Sequence, residues 1–249
     1  MSESPPSGSP GLMFQEIRTA PPARTYSYRS IAGFTYFAIA AVGINAFSLV
    51  LQIAALLGRW GLLSRMIGGG FPSHDAMMAT ATASDRLVGL ASTATLLTVA
   101  PAYIAGGIWI YNAACNIRAL GARGMQISPG WAVGWYAVPF ASLVMPFQAM
   151  EEIYQASESP AGWKSLKTPI LLRSWWGAWL IAGVGGSIAG VIAREATTAA
   201  DLLSITQFLL VDVAIEVSSC VLFLFIVWRV YQAQEHGQRV VGQVAQVFS

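Results

Sequence analysis

Residues 202–228 read LLSITQFLLVDVAIEVSSCVLFLFIVW, and the charged side chains among them are Asp212 and Glu216. The run is 27 residues long. A helix needs about 20 predominantly apolar residues to cross the roughly 30 Å hydrocarbon core of a bilayer. The run is therefore long enough to form a transmembrane helix, and its two acids fall near the middle of that helix.

Four other stretches of the chain are equally apolar and carry no charged residue: 31–57, 87–114, 131–150 and 175–193. Charged residues make up 10 % of the whole chain, compared with about 25 % in soluble domains. A soluble protein would have too little polar surface to cover five such segments. The sequence thus predicts an all-α integral membrane protein that is surrounded by the lipid bilayer.

The basic residues distinguish between four and five crossings, because Lys and Arg are enriched in cytoplasmic loops. If all five stretches cross, the 14 basic residues divide almost evenly between the two sides. If residues 131–150 enter and leave on one side, ten basic residues fall on that side and four on the other. This bias predicts four transmembrane helices, with both chain termini in the cytoplasm.

Two prolines favour the same topology. Pro139 and Pro146 both lie within residues 131–150, and each proline removes an amide donor and clashes with the preceding helical turn. Backbone that is broken at membrane depth has to be buried in protein or to line a wet cavity. We therefore expect residues 128–157 to form a re-entrant or interfacial hairpin on the cytoplasmic side.

These segments together predict one membrane domain, residues 30–230, with a tail at each end. Residues 1–29 are rich in Ser, Pro and Gly, a composition typical of a disordered segment. Residues 231–249 are expected to form a second cytoplasmic tail.

Local signals predict where several helices begin and end. Ser73 is a candidate N-cap of a long second helix, and Gly121 and Gly124 are expected to end that helix. Ser128 followed by Pro129 predicts a further helix with a cap and a proline at its first position. Residues 146–157 are amphipathic and predict a helix at the membrane interface, with a polar face formed by Gln148, Glu151, Glu152 and Gln155.

A dense series of Trp, Gly, Pro and polar positions runs through residues 109–157. Its members are Trp109, Tyr111, Asn116, Gly121, Gly124, Ser128, Pro129, Gly130, Trp131, Gly134, Trp135, Pro139, Pro146, Gln148 and Glu152. The series resembles a bacterial membrane family known as domain of unknown function 4328. The resemblance implies a helical protein of the bacterial cytoplasmic (inner) membrane. Because that family has no assigned activity, the resemblance implies no reaction.

Asp212 and Glu216 are the intramembrane charges that need an explanation. Their spacing of four residues places them on one helix face, and none of the five apolar stretches contains a basic residue to neutralise them. The acids are then protonated, exposed to water or bound to a cation. Asn45 and Gln52 of the first span are candidate hydrogen-bond partners. The pair is either a polar clasp between helices or part of a proton or cation pathway.

Small residues on the third span suggest a contact face. Gly186 and Gly190 have the spacing that lets membrane helices approach closely, and Gly183 lies one turn before them. The face either packs within the bundle or binds a membrane-protein partner or a second copy of the chain.

Motifs for catalysis are not found in the sequence. It has no zinc-ligand spacing, phosphate-binding loop or dinucleotide fingerprint, and a net charge of +2 is too small to predict nucleic-acid binding. We therefore expect no enzyme activity, metal or cofactor. The leading hypothesis is a non-catalytic interaction or accessory membrane protein. The alternative hypothesis is a small-solute, proton or cation permease that uses Asp212 and Glu216.

Overall fold

The computed structural model describes residues 26–247, so the predicted disordered tail at 1–29 lies almost wholly outside the described residues. The described chain forms six α-helices, three short 3-10 turns and the loops that join them. The helices are α1 (Ala32–Ile67), α2 (His74–Ala119), α3 (Pro129–Gly134), α4 (Met145–Glu158), α5 (Ile170–Ile192) and α6 (Ala199–Val247).

Four of these helices are long and apolar enough to cross a membrane: α1, α2, α5 and α6. They contain the four stretches that the sequence predicts as spans, and residues 131–150 form no such helix. The predicted all-helical fold with four helices long and apolar enough to span a membrane is thereby confirmed. α2 has 46 residues and α6 has 49. At 1.5 Å per residue each is about 70 Å long, more than twice the thickness of the hydrocarbon core.

The predicted ends of α2 are confirmed. The Ser73 hydroxyl accepts the backbone N–H of Ala76 at 3.2 Å, which satisfies one of the free amides of the first turn. Gly121 has φ +95° and Gly124 has φ +71°. Side chains disfavour this left-handed conformation, so the chain can leave the helix sharply at these glycines.

The long helices pack in a row that leaves one gap. α1 packs against both α2 and α6, and α5 packs against α6. Direct contacts between α2 and α5 are few. An opening therefore remains between α2 and α5.

Side-chain contacts place the centres of the four apolar stretches at one level. Thr98 of α2 donates to Asn45 of α1 at 3.1 Å, and Asn45 donates to Cys220 of α6 at 3.8 Å. Gly185 of α5 faces Asp212 of α6. Each residue lies within a few positions of the middle of its apolar stretch, as expected for four helices that cross the same hydrocarbon layer.

Residues 128–157, called the hairpin segment from here on, start near the end of α2 and finish before the start of α5. Ser128 caps α3 by accepting the N–H of Trp131 at 3.4 Å, and Pro129 occupies the first helical position. Pro146 lies in the first turn of α4. Phe140, between the two helices, has φ 61°, a strained value for a residue with a bulky side chain.

The predicted polar face of α4 is partly buried: Glu152 and Gln155 are buried, Glu151 is half-buried and Gln148 is exposed. The Glu152 carboxylate accepts the backbone N–H groups of Gln126 at 3.0 Å and Ile127 at 3.3 Å. Gln155 donates to the carbonyl of Leu166 at 3.1 Å. The loops before α3 and after α4 fold over this face, and their backbone groups satisfy the side chains that they bury.

α6 continues without a break through the predicted domain boundary at residue 230 and ends at Val247. Gln234 is fully buried, and it donates to the carbonyl of Ala113 at 3.2 Å and to Ser157 at 3.0 Å. The first turns of the predicted tail at 231–249 are thus part of the packed bundle. We call this end of the molecule, where α2 ends and α5 begins, the hairpin end.

Candidate functional site

A cavity of about 1010 Å³ lies between α2 and α5. Residues of α6 and α1 form its base, and Val133 and Tyr136 of the hairpin segment line one end. Asp212 and Glu216 both line it. The cavity is thus the space left where α2 and α5 do not pack on each other, and it contains both intramembrane acids.

The acids lie on the face of α6 that is turned towards α5. Asp212 is only 7 % exposed, and Glu216 is half-buried. A Cβ added to Gly185 would overlap Oδ1 of Asp212 and would lie 3.0 Å from its Cγ. The carboxylate of Asp212 therefore occupies the place where other residues at position 185 would carry a side chain.

Within the described part of the chain, neither carboxylate accepts a hydrogen bond or pairs with a basic side chain. The structure corrects the expectation that Asn45 and Gln52 bond to the acids. Asn45 is bonded to Thr98 and Cys220, although it lines the same cavity, and Gln52 accepts from Thr95 at 3.0 Å. The amides of α1 are turned towards the threonines of α2, whereas the acids of α6 are turned towards α5.

Aromatic side chains from four parts of the chain (α2, the hairpin segment, α5 and α6) line the cavity: Tyr103, Tyr111, Tyr136, Trp175, Trp179 and Phe223. The indole N–H of Trp179 donates to the Tyr103 hydroxyl at 3.0 Å. This bond joins α5 to α2 across the opening between them. Tyr136 packs edge-on against Trp179, with ring centroids 6.2 Å apart.

The hairpin segment closes the cavity at the hairpin end. A Cβ added to Gly107 of α2 would lie 3.3 Å from Val133, so α3 packs closely on this turn of α2. On the other side, Trp176 of α5 donates to the carbonyl of Leu143 at 3.2 Å. The segment thus bridges the two helices that flank the cavity.

This arrangement can bind a proton or a cation. An ionised carboxylate in surroundings of low polarity is costly unless it is paired, hydrated or neutralised by a proton. The cavity has room for water or for a ligand beside both acids.

The family model for the domain of unknown function DUF4328 matches residues 73–232. The chain belongs to the DUF4328 family. The predicted resemblance is confirmed, and the matched region is wider than residues 109–157, because it runs from the start of α2 to beyond Trp228 and includes both acids. No curated protein and no solved structure matches the chain.

Several of the predicted DUF4328 motif residues hold the hairpin end together. Trp109 is fully buried and donates to Thr35 at 3.1 Å. Asn116 accepts the backbone N–H of Arg29 at 3.1 Å and donates to its carbonyl at 2.7 Å. These bonds tie the second half of α2 to the chain at the start of α1, so both residues have a structural role.

Other DUF4328 motif residues shape the hairpin segment. The rings of Trp131 and Trp135 lie 4.5 Å apart, and a Cβ added to Gly134 would lie 3.2 Å from the Trp131 ring. A Cβ added to Gly124 would lie 2.7 Å from Nζ of Lys164. Tyr111 is the motif residue that lines the cavity. The remaining motif positions lie in the loop before the segment and in its turns and helices: Gly121, Ser128, Pro129, Gly130, Pro139, Pro146, Gln148 and Glu152.

Within the predicted glycine face of α5, Gly186 lies beside α6, where an added Cβ would meet Oδ2 of Asp212 at 3.5 Å, whereas Gly183 and Gly190 do not pack against α6. The face of α5 that packs most closely on α6 carries three buried small residues, Ala182, Gly185 and Ala189. Each of them immediately precedes one of the predicted glycines in the sequence. A Cβ added to Gly183 or Gly190 would meet nothing within 4 Å, and Gly186 lines the cavity. Gly183 lines the cavity as well, so of the three predicted glycines Gly190 is the one that faces away from the cavity.

Sequence reasoning missed Gly185 and the aromatic contact between Tyr103 and Trp179. Ala182, Gly185 and Ala189 have helical spacing and are all small, so a search for small residues rather than for glycine pairs would have found this face. Tyr103 and Trp179 lie 76 residues apart in the chain. No local pattern indicates that they meet.

Proposed function

We propose that this DUF4328 protein is a permease that moves a small solute, a proton or a cation across the bacterial cytoplasmic membrane by means of Asp212 and Glu216. The observation that carries the proposal is that both unpaired acids line a cavity of about 1010 Å³. A purely structural clasp would instead pair the acids with polar groups of neighbouring helices. Intramembrane acids that face a cavity are typical of ion and substrate pathways.

The hairpin segment is, in this proposal, a re-entrant element at the cytoplasmic side. Its contact with Gly107 supports this placement, because Gly107 lies seven residues inside the apolar stretch 87–114. That distance is about 10 Å along a helix. The ten basic residues assigned to the hairpin side favour the cytoplasm for this end, and with it both chain termini.

The acids bind and release the transported charge. A proton or cation that reaches the cavity neutralises a carboxylate and removes the cost of holding its charge at mid-membrane, about 2.5–3.5 kcal/mol on insertion scales. Release on the other side restores that cost and draws water into the cavity. This function needs no catalytic group and no cofactor.

Charge movement in reconstituted membranes tests the proposal. Proteoliposomes that contain the full chain are adsorbed on a solid-supported electrode and exposed to rapid jumps of pH, Na⁺ or K⁺. We expect a transient current from at least one of these jumps. Asp212→Asn should reduce this current about tenfold or more, because it removes the buried charge on which the ligand acts.

Asp201→Asn is the matched control. Asp201 lies in the first turn of the same helix, where its carboxylate accepts the N–H of Thr198 at 2.9 Å. It does not line the cavity, and asparagine retains an oxygen that can accept this bond. The current should therefore persist in this variant. Currents no larger than those of empty liposomes, or an unchanged current in Asp212→Asn, would contradict the proposal.

The second candidate function is an accessory protein that binds a membrane-protein partner or a second copy through α5. The exposed Gly190, on which no residue of this chain packs within the described part, favours it, because exposed small residues let another helix approach closely. This candidate predicts no current above that of empty liposomes in the same experiment.

A further inference from the structure

We infer that the cavity binds a hydrophobic organic cation, which enters from the bilayer between α2 and α5 and places its charge beside Asp212 and Glu216. This inference rests on the proposed function and specifies the ligand of the same site. It is carried by the charge, the walls and the size of the cavity, which distinguish between ligand classes, and by the opening of the cavity towards the lipid.

The charged side chains that line the cavity are all acidic. Its lining contains two acids and no Lys, Arg or His. Asp212 is more than nine-tenths buried and has no partner within the described residues. Coulombic attraction is strong in such surroundings, so an anion is disfavoured and a cation supplies the missing partner.

The walls favour an organic cation over a metal ion. Hard cations such as Mg²⁺ and Ca²⁺ take about six to eight oxygen ligands, and within the described residues no group of three or more His, Cys, Asp or Glu side chains could hold a metal ion. Most of the lining residues of the cavity are apolar. Six aromatic side chains line it, among them Trp175 and Trp179. Aromatic faces attract organic cations, and Trp does so most strongly.

The size of the cavity fits a ligand larger than a proton or a simple ion. Pockets for drug-sized molecules measure about 300–1,000 Å³ and are lined mainly by apolar and aromatic side chains. The volume of about 1010 Å³ lies at the upper end of this range. A ligand with several apolar groups around one positive centre matches both the volume and the lining.

The opening between α2 and α5 gives such a ligand a path from the lipid. Tyr103 and Ile104 on the α2 side are 54 % and 62 % exposed. On the α5 side, Gly183 and Gly186 have no side chain to obstruct the gap. One hydrogen bond, from Trp179 to Tyr103, crosses it. Rotation of the Trp179 or Tyr103 side chain therefore opens the cavity without separating the helices.

Tetraphenylphosphonium binding to the purified full chain in a neutral detergent tests the inference, with isothermal titration calorimetry as the measurement. Tetraphenylborate is the control ligand, because it has nearly the same size and shape and the opposite charge. We expect the phosphonium to bind and the borate to bind at least about tenfold more weakly. Asp212→Asn and Glu216→Gln should each weaken phosphonium binding about tenfold, and Asp201→Asn should leave it unchanged.

Acidification gives an independent readout, because protons and the phosphonium compete for the same carboxylates. The other titratable groups that line the cavity are Tyr103 and Tyr111 of α2, Tyr136 of the hairpin segment and Cys220 of α6, and the lining residues of α1 and α5 contain none. Tyr and Cys are neutral in acidic solution. Loss of phosphonium binding at low pH therefore reports on the two acids.

Three results would overturn the inference: no phosphonium binding, equal binding of the borate, or binding that the Asp212→Asn and Glu216→Gln variants retain in full. Circular dichroism and gel filtration verify that the variants are folded. If ion jumps give currents and the phosphonium does not bind, the ligand class is wrong and the permease stands. If both experiments fail, the proposed function is wrong as well.

Discussion

At the scale of single residues, Asp212 holds a carboxylate near the middle of an apolar helix, where its charge is costly, and the structure leaves a space of matching size for that carboxylate. The absence of a side chain at Gly185 leaves room for its carboxylate between α5 and α6. The position of both acids can be predicted from the sequence, since they lie near the middle of residues 202–228. The role of Gly185 cannot be predicted in this way, because it depends on how α5 is rotated against α6.

Gly185→Ala should destabilise the protein by about 1–3 kcal/mol, the usual cost of overpacking a well-packed site. The added methyl group overlaps the Asp212 carboxylate and forces either the side chain or α5 to move. Gly183→Ala is the matched control, because nothing lies within 4 Å of its added carbon. This variant should change stability by less than about 0.5 kcal/mol.

Unfolding free energies of the two glycine variants, measured in mixed micelles with increasing denaturing detergent, check this prediction. Equal stabilities of the two variants would show that Asp212 does not pack against Gly185 as described.

At the scale of elements, the hairpin segment is positioned by polar side chains that bond to the backbone of the neighbouring loops. The helix caps at Ser73 and Ser128 and the helix end at Gly121 could be predicted, because each depends on residues next to it in the chain. The burial of Glu152 could not be predicted from the sequence. It requires residues 126–127 to fold back over α4, and an amphipathic pattern does not reveal that contact.

Glu152→Gln should reduce the unfolding free energy by about 1–3 kcal/mol, because the amide nitrogen of glutamine would face one of the two backbone N–H groups and leave it unsatisfied. Glu158→Gln is the control on the same helix. Glu158 pairs with Arg229 at 3.4 Å in an exposed position, and such pairs contribute at most about 1 kcal/mol.

Thermal unfolding followed by intrinsic tryptophan fluorescence compares the two glutamate variants with the parent chain. A loss of stability in Glu158→Gln as large as that in Glu152→Gln would contradict a special role for the buried carboxylate.

At the scale of the whole molecule, the helices contact one another in the order α2, α1, α6 and α5, and the cavity lies where the first and the last of them do not pack together. The number of spanning helices could be predicted from hydrophobic length and from the basic residues of the loops. The cavity could not be predicted, because it exists where α2 and α5 fail to make contact. A sequence pattern shows which faces are apolar but not which of two apolar faces remains unpaired.

Labelling of single cysteines with a membrane-impermeant maleimide should establish the orientation of the molecule. In a background without the native cysteines, cysteines at Gln126 and Lys164 flank the hairpin segment, and both positions are exposed. In the proposed topology residues 131–150 enter and leave on the cytoplasmic side, so both cysteines should react only from that side.

Cysteines at Gly69 and Glu195 serve as controls, since these exposed positions lie in the loops at the opposite end of the bundle. They should react only from the other side. Reaction of the Gln126 and Lys164 variants from opposite sides of the membrane would exclude the four-span topology.

The unbroken course of α6 has a mechanical consequence. A continuous helix joins Asp212 to Val240 over 28 residues, a distance of about 42 Å at 1.5 Å per residue. A helix without a hinge moves as a lever, so a tilt of about 5° at the cavity displaces the far end by about 4 Å. A tilt of α6 at the acids would therefore displace a surface well beyond the hydrocarbon layer.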